Sequence, residues 1–219
     1  MAQSKFLNPQ NDVAFKNIFG SEKNKDILIH FINDILRLKE QDTIEHVEFL
    51  SPTQDPGIAS RRQSIVDVLC RDRQGMQVIV EMQTPLQQDF ENQAQYYAAK
   101  AYTRQLDQGQ DITDRYHNLK AVIFIAISNH TLFPKKAAYL SEHKFLDQDT
   151  HTHDLKDFRI VFLELSKFDK TAIGDLRSMV EKWAYFFKYG AQATEQQVAA
   201  IAENSPVMGK AYAALHQFS

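Results

Sequence analysis

Apolar residues at Ile27, Leu28, Phe31, Ile32, Ile35 and Leu36 recur every three or four positions, the period of a helix that buries one face. An earlier helix opens after the polar run Asn8-Pro9-Gln10-Asn11-Asp12, carries Val13, Phe15, Ile18 and Phe19, and stops at Gly20-Ser21. The pattern then changes. Ile44 to Leu50 reads as a short strand, and a Pro- and Gly-containing loop, SPTQDPG, follows it. Two apolar runs, Gln63–Cys70 and Met76–Gln83, flank the polar turn RDRQG as the arms of a β-hairpin, with Thr84-Pro85 ending the second. A long amphipathic helix is predicted from Asp89 to Leu106. Beyond Gly109 a polar loop leads into Leu119–Ser128, apolar enough for a central strand. Lys135 to Asp157 is polar and reads as a surface excursion with a short helix, and Phe158 to Leu165 as another strand. Lys170 to Tyr189 is predicted helical, as is the tail from Thr194, broken near Ser205-Pro206. The order αα-β-ββ-α-β-β-α predicts an α/β fold, a mixed central sheet flanked by helices on both faces.

Composition narrows the classes of function. At 219 residues, with 43% hydrophobic and 24% charged, the chain reads as one large domain, or one domain with a small appendage. The single cysteine, Cys70, excludes an internal disulfide and suits a reducing compartment. MAQSKFLNPQ has no apolar core of a signal peptide, and the longest apolar run, Ala121–Ile127, is too short to span a bilayer. These features point to a cytoplasmic protein with no membrane partner. A net charge of −3 argues against a protein that coats nucleic acid, but an enzyme acting on nucleic acid needs only a local basic face. Arg61-Arg62, Arg71 with Arg73, and Lys135-Lys136 are candidates; solvated surface charge is the simpler account of each.

The hairpin holds the chemistry. Side chains two apart in a strand share a face, so Glu81 and Gln83 project together, and Asp67 on the first arm shares a face with Ile65 and Leu69. Pairing of the arms can bring Asp67 beside Glu81. Two half-buried carboxylates repel and lose hydration, so replacing Asp67 by Ala should not hurt folding. A divalent cation removes both penalties, and Mg²⁺ takes one or two carboxylates with waters and phosphate oxygens. Acids in strands are more often solvent-facing, so D…E-x-Q alone is a weak signal. His151-Thr152-His153-Asp154 has metal-like spacing but no Cys or second His element with it, and reads as a polar loop. Cys70 reads as a small buried residue, and Trp183 with Phe186, Phe187 and Tyr189 as core or interface. The chain has neither a nucleophile elbow nor a Gly-rich phosphate loop.

Seven segments together resemble the PD-(D/E)XK nuclease superfamily, in its branch of recombination-promoting nucleases or putative transposases. They are NDVAFKNIFG (11–20), IVDVLCRDRQG (65–75), VIVEMQ (78–83), QAQYYAAKAYTRQLDQG (93–109), LKAVIFIAI (119–127), FLELSKF (162–168) and EKWAYFF (181–187). The resemblance implies a restriction-endonuclease-like core over residues 1–190, with 191–219 as a C-terminal helical extension. It implies a Mg²⁺- or Mn²⁺-dependent DNA endonuclease linked to recombination or DNA mobility, in which Asp67 and Glu81 are metal ligands. Asp12 matches an acid on the first core helix that helps hold the metal. Gln93 and Tyr97 match a Q-x-x-x-Y pattern that contacts DNA or supports the site. Gln83 stands where the family usually has lysine; glutamine can orient a water but carries no charge. Lys100, one turn after Tyr97, is a candidate for the displaced cation, although a solvated helix lysine is the simpler account. The competing reading is a non-catalytic DNA- or protein-binding module that kept the fold; retention of both Asp67 and Glu81 favours the enzyme. A homodimer is compatible with the pattern.

Overall fold

The structure of the protein is a computed structural model, and it describes residues 6–54, 64–85, 87–106 and 116–216. It divides into two compact units. One comprises Met1–Glu45, Ser128–Tyr139 and Glu164–Ser219; the other comprises His46–Ile127 and Leu140–Leu163. Among the described residues are six α-helices and two sheets, of six strands and of two. No helix there is long and apolar enough to cross a membrane.

In the first unit, α1 (Asp12–Phe19) starts where the Asn11 side chain accepts the amides of Val13 and Ala14, and buries Ala14, Phe15, Ile18 and Phe19. It ends at Gly20, where a Cβ would stand 2.7 Å from the Lys16 carbonyl oxygen. Helix α2 (Lys25–Leu36) buries all six periodic residues named above. Helix α4 (Met179–Tyr189) begins nine residues later than its apolar pattern suggests. Its start is set by a capping box, in which Ser178 caps Glu181 and Glu181 reaches back. A second capping box, Thr194 with Gln197, opens α5 (Glu195–Glu203), and Pro206 opens α6 (Pro206–His216). Gly209 lets α6 approach α5 closely, since a Cβ there would meet the Ala202 Cβ at 2.9 Å.

The core of this unit is aromatic. Phe15, Phe19, Phe31, Trp183, Phe186 and Tyr212 make ring contacts at centroid distances of 4.9–6.0 Å. The Trp183 indole N–H donates to Asp34 Oδ2 at 2.7 Å, which satisfies the one polar atom of a fully buried ring. Of the group read as core or interface, Trp183, Phe186 and Phe187 are thus core residues, while Tyr189 is half-buried.

The second unit carries the six-stranded sheet, in the order β1-β4-β5-β6-β8-β7. Its strands are β1 (Val47–Phe49), β4 (Val68–Asp72), β5 (Gln77–Gln83), β6 (Val122–Ser128), β7 (Leu140–Lys144) and β8 (Phe158–Glu164). β1 with β4, β4 with β5, and β7 with β8 are antiparallel. The Gln77 amide donates to the Ala121 carbonyl and the Val122 amide to the Asp157 carbonyl, so β5, β6 and β8 start side by side and run parallel. The sheet is mixed, as predicted. Helix α3 (Phe90–Thr103), extended by a 3₁₀ turn Arg104–Leu106, connects β5 to β6 and packs Phe90 on Phe162 and Tyr97 on Phe124.

Two strands start later than their apolar runs, for one reason. The side chain of Asn33 binds both backbone groups of Ile44, and that of Gln105 binds both of Lys120, so neither residue can join a ladder. The first hairpin arm is also interrupted. Ser64–Ile65 forms β3 and pairs with β2 (Thr53–Gln54) in the two-stranded sheet, and β4 begins only after Asp67. Residues 55–57 of the SPTQDPG loop, Arg61-Arg62, Gln63 and Gly109 lie outside the described residues. The excursion 135–157 contains strand β7 in place of a short helix. Its polarity hid it: β7 is a sheet edge, where Glu142 pairs with Lys144 at 2.8 Å and with Arg159. Burial raises the Glu142 pKa, but hydrogen bonds from Lys144 and Arg159 outweigh it and hold the carboxyl below its ordinary range.

Glu164 is fully buried, accepts the amides of Leu132 and Phe133 at 2.6 and 3.1 Å, and pairs with Lys167 at 2.7 Å. Replacing Glu164 by Gln keeps an amide acceptor and leaves the Lys167 ammonium without its charge partner. The expected loss is about 3 kcal/mol in denaturant unfolding at unchanged m-value. The double replacement with Lys167→Met should recover part of it. A shift within error for Glu164→Gln would show that the pair does not hold the 132–133 segment.

Candidate active site

Val68 pairs with Val80, so the next rung of the hairpin sets Asp67 opposite Glu81. The ladder does not continue through that rung in the ordinary way. The Asp67 amide donates to Glu81 Oε2 at 2.8 Å, and the Met82 amide donates to Asp67 Oδ2 at 2.9 Å. Each carboxylate thus caps a main-chain amide, Glu81 that of the residue opposite it and Asp67 that of Met82 on the strand opposite. This explains the break before β4 and brings the two half-buried acids together on one face. It also corrects the expectation that Asp67 is dispensable to the fold. Truncating Asp67 orphans the Met82 amide, at a cost of about 1–3 kcal/mol for a buried donor.

Gln83 lies two residues on, 7% exposed. Its Nε2 donates to the Pro85 carbonyl at 2.8 Å and to Gln87 Oε1 at 3.2 Å. The donor half of the amide is therefore engaged by the loop after β5, and the half that remains is an acceptor. Gln87 gave no signal in the sequence, because a loop glutamine has no periodic partner.

Helix α3 brings up the other side chains. Gln93 Nε2 donates to the Tyr97 hydroxyl at 2.8 Å, joining the two residues of the Q-x-x-x-Y spacing across one turn. Gln93 Oε1 is buried without a hydrogen-bond partner. Burial raises the Tyr97 phenol above its ordinary pKa; the Gln93 bond opposes this, and the charges of Glu81 and Asp67 add to it. Tyr97 thus stays protonated and lies within electrostatic reach of both carboxylates. The Lys100 ammonium stands 5.8 Å from the ring centroid of Tyr96, an exposed neighbour on the same helix with no signal in the sequence pattern. Asp12 belongs to the helical unit, where it is the first residue of α1, 66% exposed and paired with Lys16 at 2.6 Å.

Other candidates are taken up by the fold. Burial, with the Asp72 charge second, pushes the Cys70 thiol up to about 12, so it stays an unreactive thiol. His151 follows a turn built on Asp147, which accepts the Asp149 and Thr150 amides, and His153 Nε2 is buried without a hydrogen-bond partner. An open cleft of about 400 Å³ at the turn of the β4–β5 hairpin is lined by His46, Glu48 and residues 71–75. Its acids are occupied: Glu48 pairs with Arg71 at 2.9 Å, and Asp72 caps the Gln74 and Met76 amides.

Among the described residues no group of three or more His, Cys, Asp and Glu side chains is placed to hold a metal ion, so the candidate is a pair. The pair suits a hard cation. Two carboxylates with one oxygen each fixed by a backbone amide form a positioned set of oxygen donors, of the number that Mg²⁺ takes before waters and phosphate oxygens complete its shell.

A mixed sheet whose antiparallel hairpin bears an acidic pair, joined by a helix to a parallel strand, defines an α/β protein of the restriction-endonuclease-like class. The model of the PD-(D/E)XK nuclease family transposases matches residues 9–219, and the chain belongs to that family. PD-(D/E)XK nucleases generally use divalent metal ions. No curated protein and no solved structure matches the chain.

A cation held by both acids would stabilise the folded state by mass action, by about 2.7 kcal/mol at a hundredfold excess over its Kd. Melting temperature should therefore rise with millimolar Mg²⁺ or Mn²⁺, and Glu81→Gln should flatten the response. A wild-type melting temperature that ignores both ions removes the pair as a metal site.

Proposed function

We propose that the chain is a divalent-metal-dependent DNA endonuclease whose site is the Asp67–Glu81 rung, with Mg²⁺ or Mn²⁺ as cofactor and DNA as partner. The observation that carries this reading is the reciprocal bonding of the two acids across β4 and β5, which holds them together at a break in the ladder. Family membership supports a nuclease fold and a DNA substrate, and the family's name supports a part in DNA mobility. Asp67 and Glu81 would hold the ion, which lowers the pKa of an attacking water and neutralises charge on the phosphoryl group.

The remaining residues do work that needs no lysine. Gln83 keeps an acceptor, and accepting a hydrogen bond from a water would turn the water's lone pair away from the amide, toward a phosphorus held by an ion at the carboxylates. Tyr97 receives a hydrogen bond from Gln93, so its own proton points elsewhere and is a donor for a carboxylate or phosphate oxygen. Its raised pKa keeps that proton in place at neutral pH. Asp12 is the third acid in this proposal, on the strength of its position in the sequence pattern.

Asp67→Asn tests the reading better than Asp67→Ala, because the amide oxygen can still accept the Met82 N–H. Metal-dependent plasmid nicking should fall at least about a hundredfold in Asp67→Asn, the equivalent of ~1.4 kcal/mol per decade over a loss of several kcal/mol. Circular dichroism should remain native. Gln83→Ala should lose less, and Gln83→Lys should gain rate by adding positive charge near the developing phosphorane. Equal nicking by wild type and Asp67→Asn overturns the proposal in favour of a binding module that retains the nuclease fold.

A further inference from the structure

Helix α3 completes its buried face with Phe90, Ala94, Tyr97, Ala98 and Ala101. Tyr96 is outside that stripe and 52% exposed, among the few large apolar side chains left to solvent. Its position is specific. Its ring centroid lies 5.9 Å from that of Tyr97, whose hydroxyl feels the charges of both Glu81 and Asp67. The Lys100 ammonium stands 5.8 Å from the Tyr96 centroid, on the same helix face one turn on. An exposed aromatic ring accompanied by a cation therefore sits beside Tyr97 on α3, the helix that follows the strand bearing Glu81.

We infer that Tyr96 and Lys100 bind the DNA strand beside the bond to be cut, Tyr96 by stacking on an unpaired base and Lys100 by pairing with a phosphate of that strand. This rests on the nuclease reading of the Asp67–Glu81 site and adds a substrate class to it. In an intact duplex each base face is already covered by its neighbours, and a tyrosine ring gains a partner only where a base is unstacked. A stacking residue on the helix that carries Tyr97 selects single-stranded or locally opened DNA. Lysine contributes a charge that is indifferent to sequence, so the pair recognises strand state and not base identity.

The test is a set of anisotropy titrations in the Glu81→Gln background, which keeps the DNA intact, with a short labelled single strand and the matching duplex as probes. Adding Tyr96→Ala should weaken binding of the single strand about tenfold, the range for loss of one stacked base, and change the duplex less than twofold. Tyr96→Phe, which keeps the ring, should bind like the parent. Lys100→Gln should weaken both probes and reduce the salt dependence. An unchanged single-strand affinity in Tyr96→Ala, or an equal loss on both probes, overturns the inference. The nuclease reading has a separate readout, nicking by the wild type in Mg²⁺. If nicking is absent while the Tyr96-dependent preference holds, that reading fails and the single-strand surface stands without it.

Discussion

The sheet unit depends on a constraint at one rung, where two acids must share a hairpin without leaving its backbone unpaired. A charge-assisted hydrogen bond is worth about 1.5–3 kcal/mol, and two unit charges at 4 Å interact by about 1–4 kcal/mol between bulk water and a protein surface. The two amide bonds, from Asp67 and Met82, are therefore of the same order as the repulsion they oppose. They fix the geometry of both carboxylates.

Around that rung each neighbour has part of its bonding capacity committed. Gln83 gives its donors to Pro85 and Gln87, and the Tyr97 oxygen accepts from Gln93. What remains is an acceptor on Gln83 and a donor on Tyr97, and in the proposed reaction these are complements to a water and a phosphate oxygen that require no cationic side chain.

Much of this was legible in the sequence, and the exceptions share a physical cause. Period-3.6 and period-2 patterns found α1, α2, α3, β5 and β8 because those elements each bury one face or both. E-x-Q placed Glu81 and Gln83 on one face, since that follows from strand geometry alone. Long-range side-chain clamps were not legible. Asn33 on Ile44, Gln105 on Lys120 and Asp67 on Met82 each displace a strand boundary, and none leaves a periodic trace. Strand β7 was hidden because an edge strand is stabilised by charge pairs, which read as loop. The late start of α4 was marked by S-x-x-E at 178–181, a signal present in the sequence but outweighed by the apolar run around it. Within the site, Gln87 and Tyr96 lacked any pattern to announce them.

The helical unit is assembled from chain segments far apart: α1 and α2 come first, and the aromatic partners Trp183, Phe186 and Tyr212 come from beyond residue 164. During synthesis the sheet unit has all of its strands by Leu163, while Phe31 still waits for the indole it packs against. At 5–20 residues per second, the interval between the two is on the order of seconds. Nascent α1 and α2 thus leave the ribosome with their apolar faces uncovered, and that interval is when a chaperone has most to bind.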